Sequence, residues 1–186
     1  KRSADIFREV PIWLLQCEIP LNSLRYLMTE AKTPKNRLIW NYAPALPMPA
    51  PPLACCDVLV ANEIEAAQLS GMPVTGVDSA RNAARWFRDH GIGDVVVTLG
   101  PDGLFYLGDD GEITLPAFDV EVVDTVGAGD TFCGALATAL VEGKPWDESL
   151  MFASAAANIS VTRLGAQPSI PDREDIDAFI DLHRED

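Results

Sequence analysis

The sequence predicts an α/β fold, a three-layer Rossmann-like arrangement in which a mostly parallel sheet carries helices on both faces. Two observations lead to this prediction. Short β-branched runs alternate along the chain with segments of helical periodicity, which favours parallel strands joined by helical crossovers. Polar residues also follow several predicted strands, at the end where doubly wound sheets bind their ligands. The length of 186 residues suits one well-buried domain covering residues 1–186.

Hydrophobic periodicity assigns the elements in order. Strands are predicted at residues 13–17, 37–41, 57–61 and 94–99, followed by a hairpin at 104–107 and 112–115 around a turn at 109–111. Helices are predicted at residues 21–31, 63–69, 79–90, 145–162 and 172–182. The proline cluster at 43–52 and the glycine- and proline-rich residues 163–169 are predicted to be loops, and residues 1–10 resemble a helix entered in mid-course.

The amino-acid composition limits the kinds of molecule that the chain is expected to bind. The formal net charge of −14 argues against a nucleic acid or an anionic membrane surface. No run is long and apolar enough to predict a membrane span, and the first residues lack the apolar core of a signal peptide. Four cysteines without framework spacing, two of them adjacent at Cys55 and Cys56, indicate apolar filler in a reducing, cytoplasmic compartment.

The most informative segment covers residues 124–135. It follows an apolar, β-branched run at 120–123 and opens a helix rich in small residues, so we expect a strand-to-helix junction there. Gly127 and Gly129 would let several backbone N–H groups converge at the positive end of the helix dipole, which attracts an anion such as phosphate. Asp130 would then place a carboxylate beside that anion site. The pattern predicts phosphoryl transfer to a hydroxyl group.

A plainer interpretation is that the two glycines only form a turn and that Asp130 is only an acidic residue at a helix N-terminus. Other phosphate motifs do not fit the chain. There is no G-x-x-x-x-G-K-[ST] sequence, and Phe132 stands where a dinucleotide fingerprint would need its third glycine. No H-E-x-x-H or paired C-x-x-C pattern predicts zinc.

Further polar residues are expected where strands end. They are Glu18, Asn41, Asn62, Thr98 and Asp124. Because the carboxyl ends of parallel strands meet at one edge of a sheet, these side chains could form one catalytic edge. Each could instead be a helix cap or turn residue, which is the preferred interpretation of Asn41, and the spacing of Asn62 and Glu65 also fits a capping box.

The segment 124–135 resembles the C-terminal signature of the ribokinase-like (PfkB) family of sugar and nucleoside kinases. Three further stretches resemble family motifs: N-x-x-E at residues 62–65, T-L-G-x-x-G at 98–103 and L-Q-x-E-x-P at 15–20. The tail from Val161 to Phe179 resembles bacterial ribokinases more than fructokinases or adenosine kinases. The resemblance implies ATP-dependent phosphorylation of a sugar primary hydroxyl, most simply that of ribose, with a fructokinase or another sugar or nucleoside kinase as the alternative.

The resemblance also implies a role for each matching residue. Asp130 would be the base and a sugar contact, and the amides of Gly127, Ala128 and Gly129 would form the anion hole. Glu18 would bind the sugar, and Glu65 would organise Mg²⁺ through water. The nucleotide would contact Asn62, Thr98, Gly100, Gly103, Gly129 and Ser154. Ser154 departs from the His or Asn that ribokinases often carry near the adenine.

Potassium is the expected activating cation. The resemblance implies that it would be enclosed by the Asp124 carboxylate, the carbonyls of Val126, Ser160, Arg163 and Gly165, and the side chain of Ser169. The alternative is that residues 163–169 only pack under the adenine.

The resemblance covers only the C-terminal portion of a ribokinase-like enzyme. The family's glycine-rich sugar motif, its N-x-D strand end and its small β-sheet lid have no counterpart here. The lid often forms the dimer interface, so a homodimer is expected only in a longer parent. Without these parts we expect weak activity from this chain alone, and a non-catalytic, nucleotide-binding fragment stays open as an alternative.

Overall fold

A computed structural model of the chain describes residues 9–45 and 53–183. The chain divides into two compact units, Lys1–Thr114 and Leu115–Asp186. Most of the predicted helical start at 1–10 and most of the proline loop at 43–52 lie outside the described residues.

The first unit is built on a six-stranded sheet whose strands lie side by side in chain order. The strands are β1 (Ile12–Leu15), β2 (Arg37–Asn41), β3 (Val58–Asn62), β4 (Asp94–Thr98), β5 (Leu104–Gly108) and β6 (Gly111–Leu115). The first four strands are parallel, and β5 runs antiparallel to β4. The predicted mixed, mostly parallel α/β sheet is therefore confirmed.

Helices connect β1 to β2 and β3 to β4, because a parallel neighbour can be reached only through a crossover. Between β2 and β3 the structure describes a short 3₁₀ turn, Leu53–Cys55. The described helices are α1 (Leu21–Tyr26), which continues as a π-helical turn at Leu27–Ala31, then α2 (Glu63–Ser70), α3 (Val77–Asp89), α4 (Ala128–Val141), α5 (Trp146–Val161) and α6 (Arg173–Leu182). Gly71 ends α2 in the left-handed conformation, with φ of 73°, as its C-terminal position predicts. Within the described ranges, no helix is long and apolar enough to span a membrane.

The core of the first unit follows from strand alternation. Leu38, Trp40, Leu59, Val95 and Val97 are fully buried and belong to one cluster. The helices contribute apolar residues to the same cluster, namely Leu24, Met28, Ala80, Ala83, Ala84 and Phe87. Residues between them in the strands, such as Val58 and Val96, are also buried, as a central parallel sheet requires.

The second unit packs α4, α5 and α6 around small and branched side chains. Its buried cluster contains Ala139, Phe152, Ala155, Ala156, Ile159, Ile176 and Ile180. Arg173 at the start of α6 binds the carboxylate of Glu142 and lies 4.9 Å from the centre of the Phe152 ring. One side chain therefore links the start of α6 to the end of α4 and to the middle of α5.

Two sequence predictions about this region need correction. Val122 and Val123 do not form a strand before the glycine turn; they are 60% and 51% exposed. Their segment has no described strand beside it, and the amides of Val123 and Asp124 instead share one carbonyl, that of Val161 at the end of α5. The loop at 163–169 also contains a short 3₁₀ turn, Gln167–Ser169.

A polar cluster at the start of β4 makes a stability prediction possible. The hydroxyl of Tyr106 donates a 2.7 Å hydrogen bond to Asp94, which also pairs with Arg37 at 2.7 Å. A methyl group at Gly108 would overlap both the Tyr106 hydroxyl and the Asp94 carboxylate. Tyr106 is fully buried and cannot move aside freely.

We expect Gly108→Ala to lower the free energy of unfolding by roughly 1–3 kcal/mol, because it separates this buried hydrogen-bonded pair. The matched control is Gly134→Ala in the middle of α4, where a new Cβ meets open space. That change should instead raise stability by about 0.5–1 kcal/mol, since alanine loses less backbone entropy in a helix. Urea titrations followed by circular dichroism measure both. Equal stability of Gly108→Ala and the unchanged chain would contradict the argument.

Candidate functional site

Gly127 is the N-cap of α4 and requires glycine for two reasons. Its φ is 79°, in the left-handed region that L side chains rarely adopt. A Cβ on Gly127 would also lie 3.2 Å from both Cα and Cβ of Ala166, so the turn packs closely against the loop at 163–169. The helix begins directly after this residue, which confirms that Asp130 lies in the first turn.

The first turn of α4 presents backbone donors. The amide of Ala128 donates to the carbonyl of Thr125 at 3.3 Å, and that of Thr131 donates to Gly127 at 2.8 Å. The amides of Gly129 and Asp130 have no partner among the residues the structure describes. Gly129 is exposed, and nothing lies within 4 Å of where its Cβ would be. These free amides lie at the positive end of a 14-residue helix, where backbone donors can bind an anion.

Asp130 is exposed beside these amides. In the described part of the chain, no group bonds to its carboxylate. The next residue behaves differently: Thr131 is buried, and its hydroxyl donates to the carbonyl of Gly127 at 2.9 Å. The carboxylate of Asp130 is therefore accessible to a ligand.

Asp124 holds the glycine turn in place. One carboxylate oxygen, Oδ1, accepts the amide of Val126 at 3.0 Å, and the other, Oδ2, accepts the amide of Gly165 at 2.9 Å. These amides, first that of Gly165 and then that of Val126, lower the pKa of Asp124 because they stabilise its charged form. The carboxylate thereby joins the turn before α4 to the loop after α5.

The predicted potassium ligands lie on these two segments, except Ser160, which is the next-to-last residue of α5. Asp124, Val126 and Gly165 are brought together by the hydrogen bonds just described. The carbonyl of Ser160 accepts the amide of Arg163 at 3.1 Å, and the buried Ser169 hydroxyl donates to the carbonyl of Ala166 at 2.7 Å. Over residues 9–45 and 53–183, no group of three or more His, Cys, Asp or Glu residues could hold a metal ion.

Among the predicted nucleotide contacts in the second unit, Ser154 lies within α5 and is buried. The side-chain amide of Asn158, one turn later, donates to the Ser154 carbonyl at 2.8 Å.

In the first unit, Asn62 and Thr98 end adjacent strands and are paired in register. Asn62 also caps α2: its Oδ1 accepts the amide of Glu65 at 2.9 Å, and the Glu65 Oε2 accepts the amide of Asn62 at 2.9 Å. The capping box predicted as an alternative is thus present. Burial raises the pKa of Glu65, which is only 8% exposed, and the amide of Asn62 opposes that shift.

The T-L-G-x-x-G stretch forms a tight turn between β4 and β5. Gly100 and Gly103 both have positive φ, 53° and 87°. The amide of Leu99 donates to the carbonyl of Gly103 at 2.8 Å, which closes the turn. A Cβ on Gly100 would lie 3.9 Å from a carboxylate oxygen of Glu63 at the start of α2. Gly100 is therefore exposed next to the first residue of α2.

Glu18 lies in a turn, three residues beyond the end of β1, so the strand predicted at 13–17 is shorter than expected. Its carboxylate Oε2 accepts a 2.9 Å hydrogen bond from the side-chain nitrogen of Gln16, and its backbone amide donates to the side-chain oxygen Oε1 of Gln16. Sequence reasoning assigned Gln16 no role, although its spacing of two residues from Glu18 was the available signal. Asn41 ends β2 and is buried, in keeping with a structural role.

The chain matches known proteins over nearly all of its length. Residues 8–173 match the family described as pfkB family carbohydrate kinase. The chain belongs to the pfkB family. Among curated proteins, this pfkB-family chain is 40% identical over 168 residues to a ribokinase from Haemophilus influenzae, a match that covers 90% of the chain and 55% of the relative. It is 35% identical over 183 residues to a deoxyribokinase from Salmonella typhi, covering 98% of the chain and 60% of the relative.

Solved structures agree with this membership. The ribokinase of Arabidopsis thaliana, complexed with ribose and ATP, superposes with a TM-score of 0.89 at 35% identity. The ribokinase of Thermotoga maritima superposes with a TM-score of 0.86 at 37% identity. Each match covers 96% of the pfkB-family chain but only 58% and 59% of the respective structure. The chain therefore spans a little over half the length of its curated relatives and structural neighbours.

The Asp124 carboxylate accepts amides from both Val126 and Gly165, and we call this pair of hydrogen bonds the clasp. The contribution of the clasp to stability can be tested through its pH dependence. The folded-state pKa of Asp124 is lowered, so the stability it contributes is present above the unfolded-state pKa, about 4. That contribution is lost as the pH falls below this value and through the folded-state pKa. We expect Asp124→Asn to lower the melting temperature at pH 7, with the difference shrinking steadily below about pH 4.

The matched control for this comparison is Asp177→Asn, an exposed aspartate on α6 with no described hydrogen bond. It should shift the melting temperature little at either pH. Differential scanning calorimetry from pH 7 to pH 2.5 provides the measurement. A difference between the unchanged chain and Asp124→Asn that does not depend on pH would contradict the clasp.

Proposed function

We propose that this chain carries the phosphoryl-transfer portion of an ATP-dependent sugar kinase. The observation that carries the proposal is the first turn of α4, where free amides at Gly129 and Asp130 lie beside an exposed, unpaired carboxylate. Phosphoryl transfer to an alcohol needs donors that bind the phosphate next to a group that accepts the alcohol proton, and these amides and this carboxylate could supply both. Family membership and the ribokinase relatives support the same reaction.

In the proposed reaction, the free amide of Gly129 and the amides of Gly127 and Ala128 bind oxygens of the terminal phosphate and stabilise charge that develops during transfer. The Ala128 amide would first give up its 3.3 Å hydrogen bond to the carbonyl of Thr125. Asp130 accepts the proton of the sugar hydroxyl. An aspartate is a weak base, so its contribution depends on position and on taking the proton late, when bond formation to phosphorus has made the hydroxyl acidic. The transition state is loose, which makes alignment of the two reactants the main task of the protein.

The acceptor is proposed to be a pentose. Ribokinases and deoxyribokinases are both among the relatives, at 40% and 35% identity, and differ in whether the sugar carries a 2-hydroxyl group. Ribose is the first choice, since the ribokinase of Arabidopsis thaliana with a TM-score of 0.89 is complexed with ribose and ATP. Deoxyribose is the second. The Glu18 carboxylate is proposed to accept a hydrogen bond from a hydroxyl group of either sugar.

On the nucleotide side, Asn62, Thr98, Gly100, Gly103 and Ser154 are proposed to contact ATP, and Glu65 to contact the waters of Mg²⁺. The residues fit such a cation. Mg²⁺ in kinases is held mainly by phosphates and water, with one or two carboxylates in support. The Oε2 atom of Glu65 is already bound to the Asn62 amide at 2.9 Å, so contact through water suits it better than direct ligation.

Potassium is proposed for the cage around Asp124. The donor set is one carboxylate with neutral carbonyl and hydroxyl oxygens, and a large, weakly charged cation suits such a set better than a small divalent one. When bound, potassium would neutralise the Asp124 carboxylate and stiffen the glycine turn. The direct hydrogen bonds from Val126 and Gly165 leave further lone pairs on both carboxylate oxygens for a cation.

The base assignment can be tested by Asp130→Asn. We expect turnover to fall by roughly two to four orders of magnitude, in the range of lost acid–base catalysis, while nucleotide affinity is nearly unchanged. A coupled ADP assay with ribose measures the first quantity, and calorimetry with ATP and Mg²⁺ measures the second. Asp147→Asn, which changes an exposed aspartate in the first turn of α5, is the matched control and should retain normal turnover. Normal turnover in Asp130→Asn would contradict its role as the base.

Replacing potassium tests the cation cage. With tetramethylammonium as the only monovalent cation, we expect sugar phosphorylation to fall at least several-fold and to recover on titration with KCl, because the turn loses a stiffening contact. Sodium, which is smaller, should restore activity less completely. Activity that does not depend on the monovalent cation would contradict the cage.

The alternative function is nucleotide binding without catalysis. It is favoured by the partial match, because the chain covers only 55% of the Haemophilus influenzae ribokinase. Calorimetry with ATP and Mg²⁺, followed by the ADP assay over ribose, deoxyribose and fructose, separates the two. Nucleotide binding without sugar-stimulated ADP release would favour the fragment.

A further inference from the structure

The backbone of the turn that follows β1 is held at both ends. The amide of Cys17 donates to the carbonyl of Ala43 at 2.8 Å, and the Cys17 side chain is buried in the core of the first unit. At the other end, the carbonyl of Pro20 accepts the amides of Ser23 and Leu24, which start α1. The backbone between these two anchors has little freedom to move.

Gln16 and Glu18 lie on either side of the buried Cys17 and meet through two hydrogen bonds. The Gln16 side-chain nitrogen donates to Oε2 of Glu18 at 2.9 Å, and the Gln16 side-chain oxygen accepts the backbone amide of Glu18. One amide group thus holds both the backbone and the carboxylate of the same residue. No other described residue donates to the Glu18 carboxylate, and no described lysine or arginine pairs with it.

This arrangement leaves a defined acceptor for a ligand. A glutamate in an exposed turn would otherwise populate several rotamers, and ordering such a side chain on binding costs conformational entropy. Gln16 occupies one carboxylate oxygen and leaves Oε1 open. A carboxylate oxygen only accepts hydrogen bonds, so its partner must be a donor such as a sugar hydroxyl. Because no described lysine or arginine forms an ion pair with it, this carboxylate favours an uncharged donor over an anionic ligand.

We propose that Gln16 is a positioning residue that orients the Glu18 carboxylate toward a hydroxyl of an uncharged sugar. The inference rests on the proposed function, because it assigns Glu18 to sugar binding. Gln16 itself does not touch the sugar. Its effect passes through Glu18 and falls on sugar affinity, while the nucleotide and the transfer step depend on other residues.

The experiment compares Gln16→Ala, Glu18→Ala and the double variant in the ADP assay. We expect Gln16→Ala to raise the sugar KM by roughly 10-fold, because the Glu18 carboxylate loses the charge-assisted hydrogen bond that orients it. The kcat and the ATP KM should stay within about twofold of the values for the unchanged chain. In the Glu18→Ala background, Gln16→Ala should have no further effect on the sugar KM, because the carboxylate that Gln16 orients is gone. Asn22→Ala, which changes an exposed amide on α1, is the control and should leave all three constants unchanged.

Calorimetric sugar affinity in the presence of a nonhydrolysable ATP analogue replaces the KM where turnover is slow. An unchanged sugar constant in Gln16→Ala would overturn the inference while leaving the kinase proposal in place. Additive effects in the double variant would also overturn it, since they would indicate general damage to the turn. If the unchanged chain neither binds a sugar nor releases ADP in response to one, the proposed function itself fails, and the inference fails with it.

Discussion

The candidate anion site depends on one carboxylate, that of Asp124, which holds two backbone amides from different segments. Residues 116–127 have no regular secondary structure, and Val122 and Val123 are more than half exposed. Apart from the Val161 carbonyl, the described contact that fixes the end of this segment is the clasp from Asp124 to Val126 and Gly165. Because Gly127 follows directly and packs on Ala166, the clasp sets where α4 begins and where its free amides point.

The charges of the second unit make these amides more important. The lysine and arginines described in this unit are all engaged in ion pairs: Lys144 with Glu148, Arg163 with Asp175 and Arg173 with Glu142. The chain as a whole carries a net charge of −14. A phosphate at the start of α4 would therefore be stabilised chiefly by backbone dipoles and by the cations proposed to accompany it. Such a site is fixed in geometry, because amides at a helix end cannot swing away as a lysine side chain can.

In the first unit, the same atoms carry out structural and proposed ligand-binding tasks. Asn62 and Glu65 cap α2 reciprocally, so the presence of the motif alone does not distinguish a helix cap from a magnesium site. Glu65 is only 8% exposed, and burial raises the pKa of its carboxylate. Gln16 and Glu18 pose the same question in an exposed turn, where a mutual hydrogen bond is worth little for stability and is better explained by orientation of the carboxylate.

The amino-acid sequence by itself determined the α/β class, the order of strands and helices, and the position of Asp130 in the first turn of a helix, because these follow from local periodicity and from glycine at a helix start. It also determined the family, since motifs such as residues 124–135 are local. Tertiary structure alone decided what happens between the elements. The valines at 120–123 have strong β propensity but no neighbouring strand, so they stay irregular, and Asp124 finds its partner in Gly165, 41 residues away. No local pattern encodes such a pairing, because it exists only once α4 and α5 have packed together.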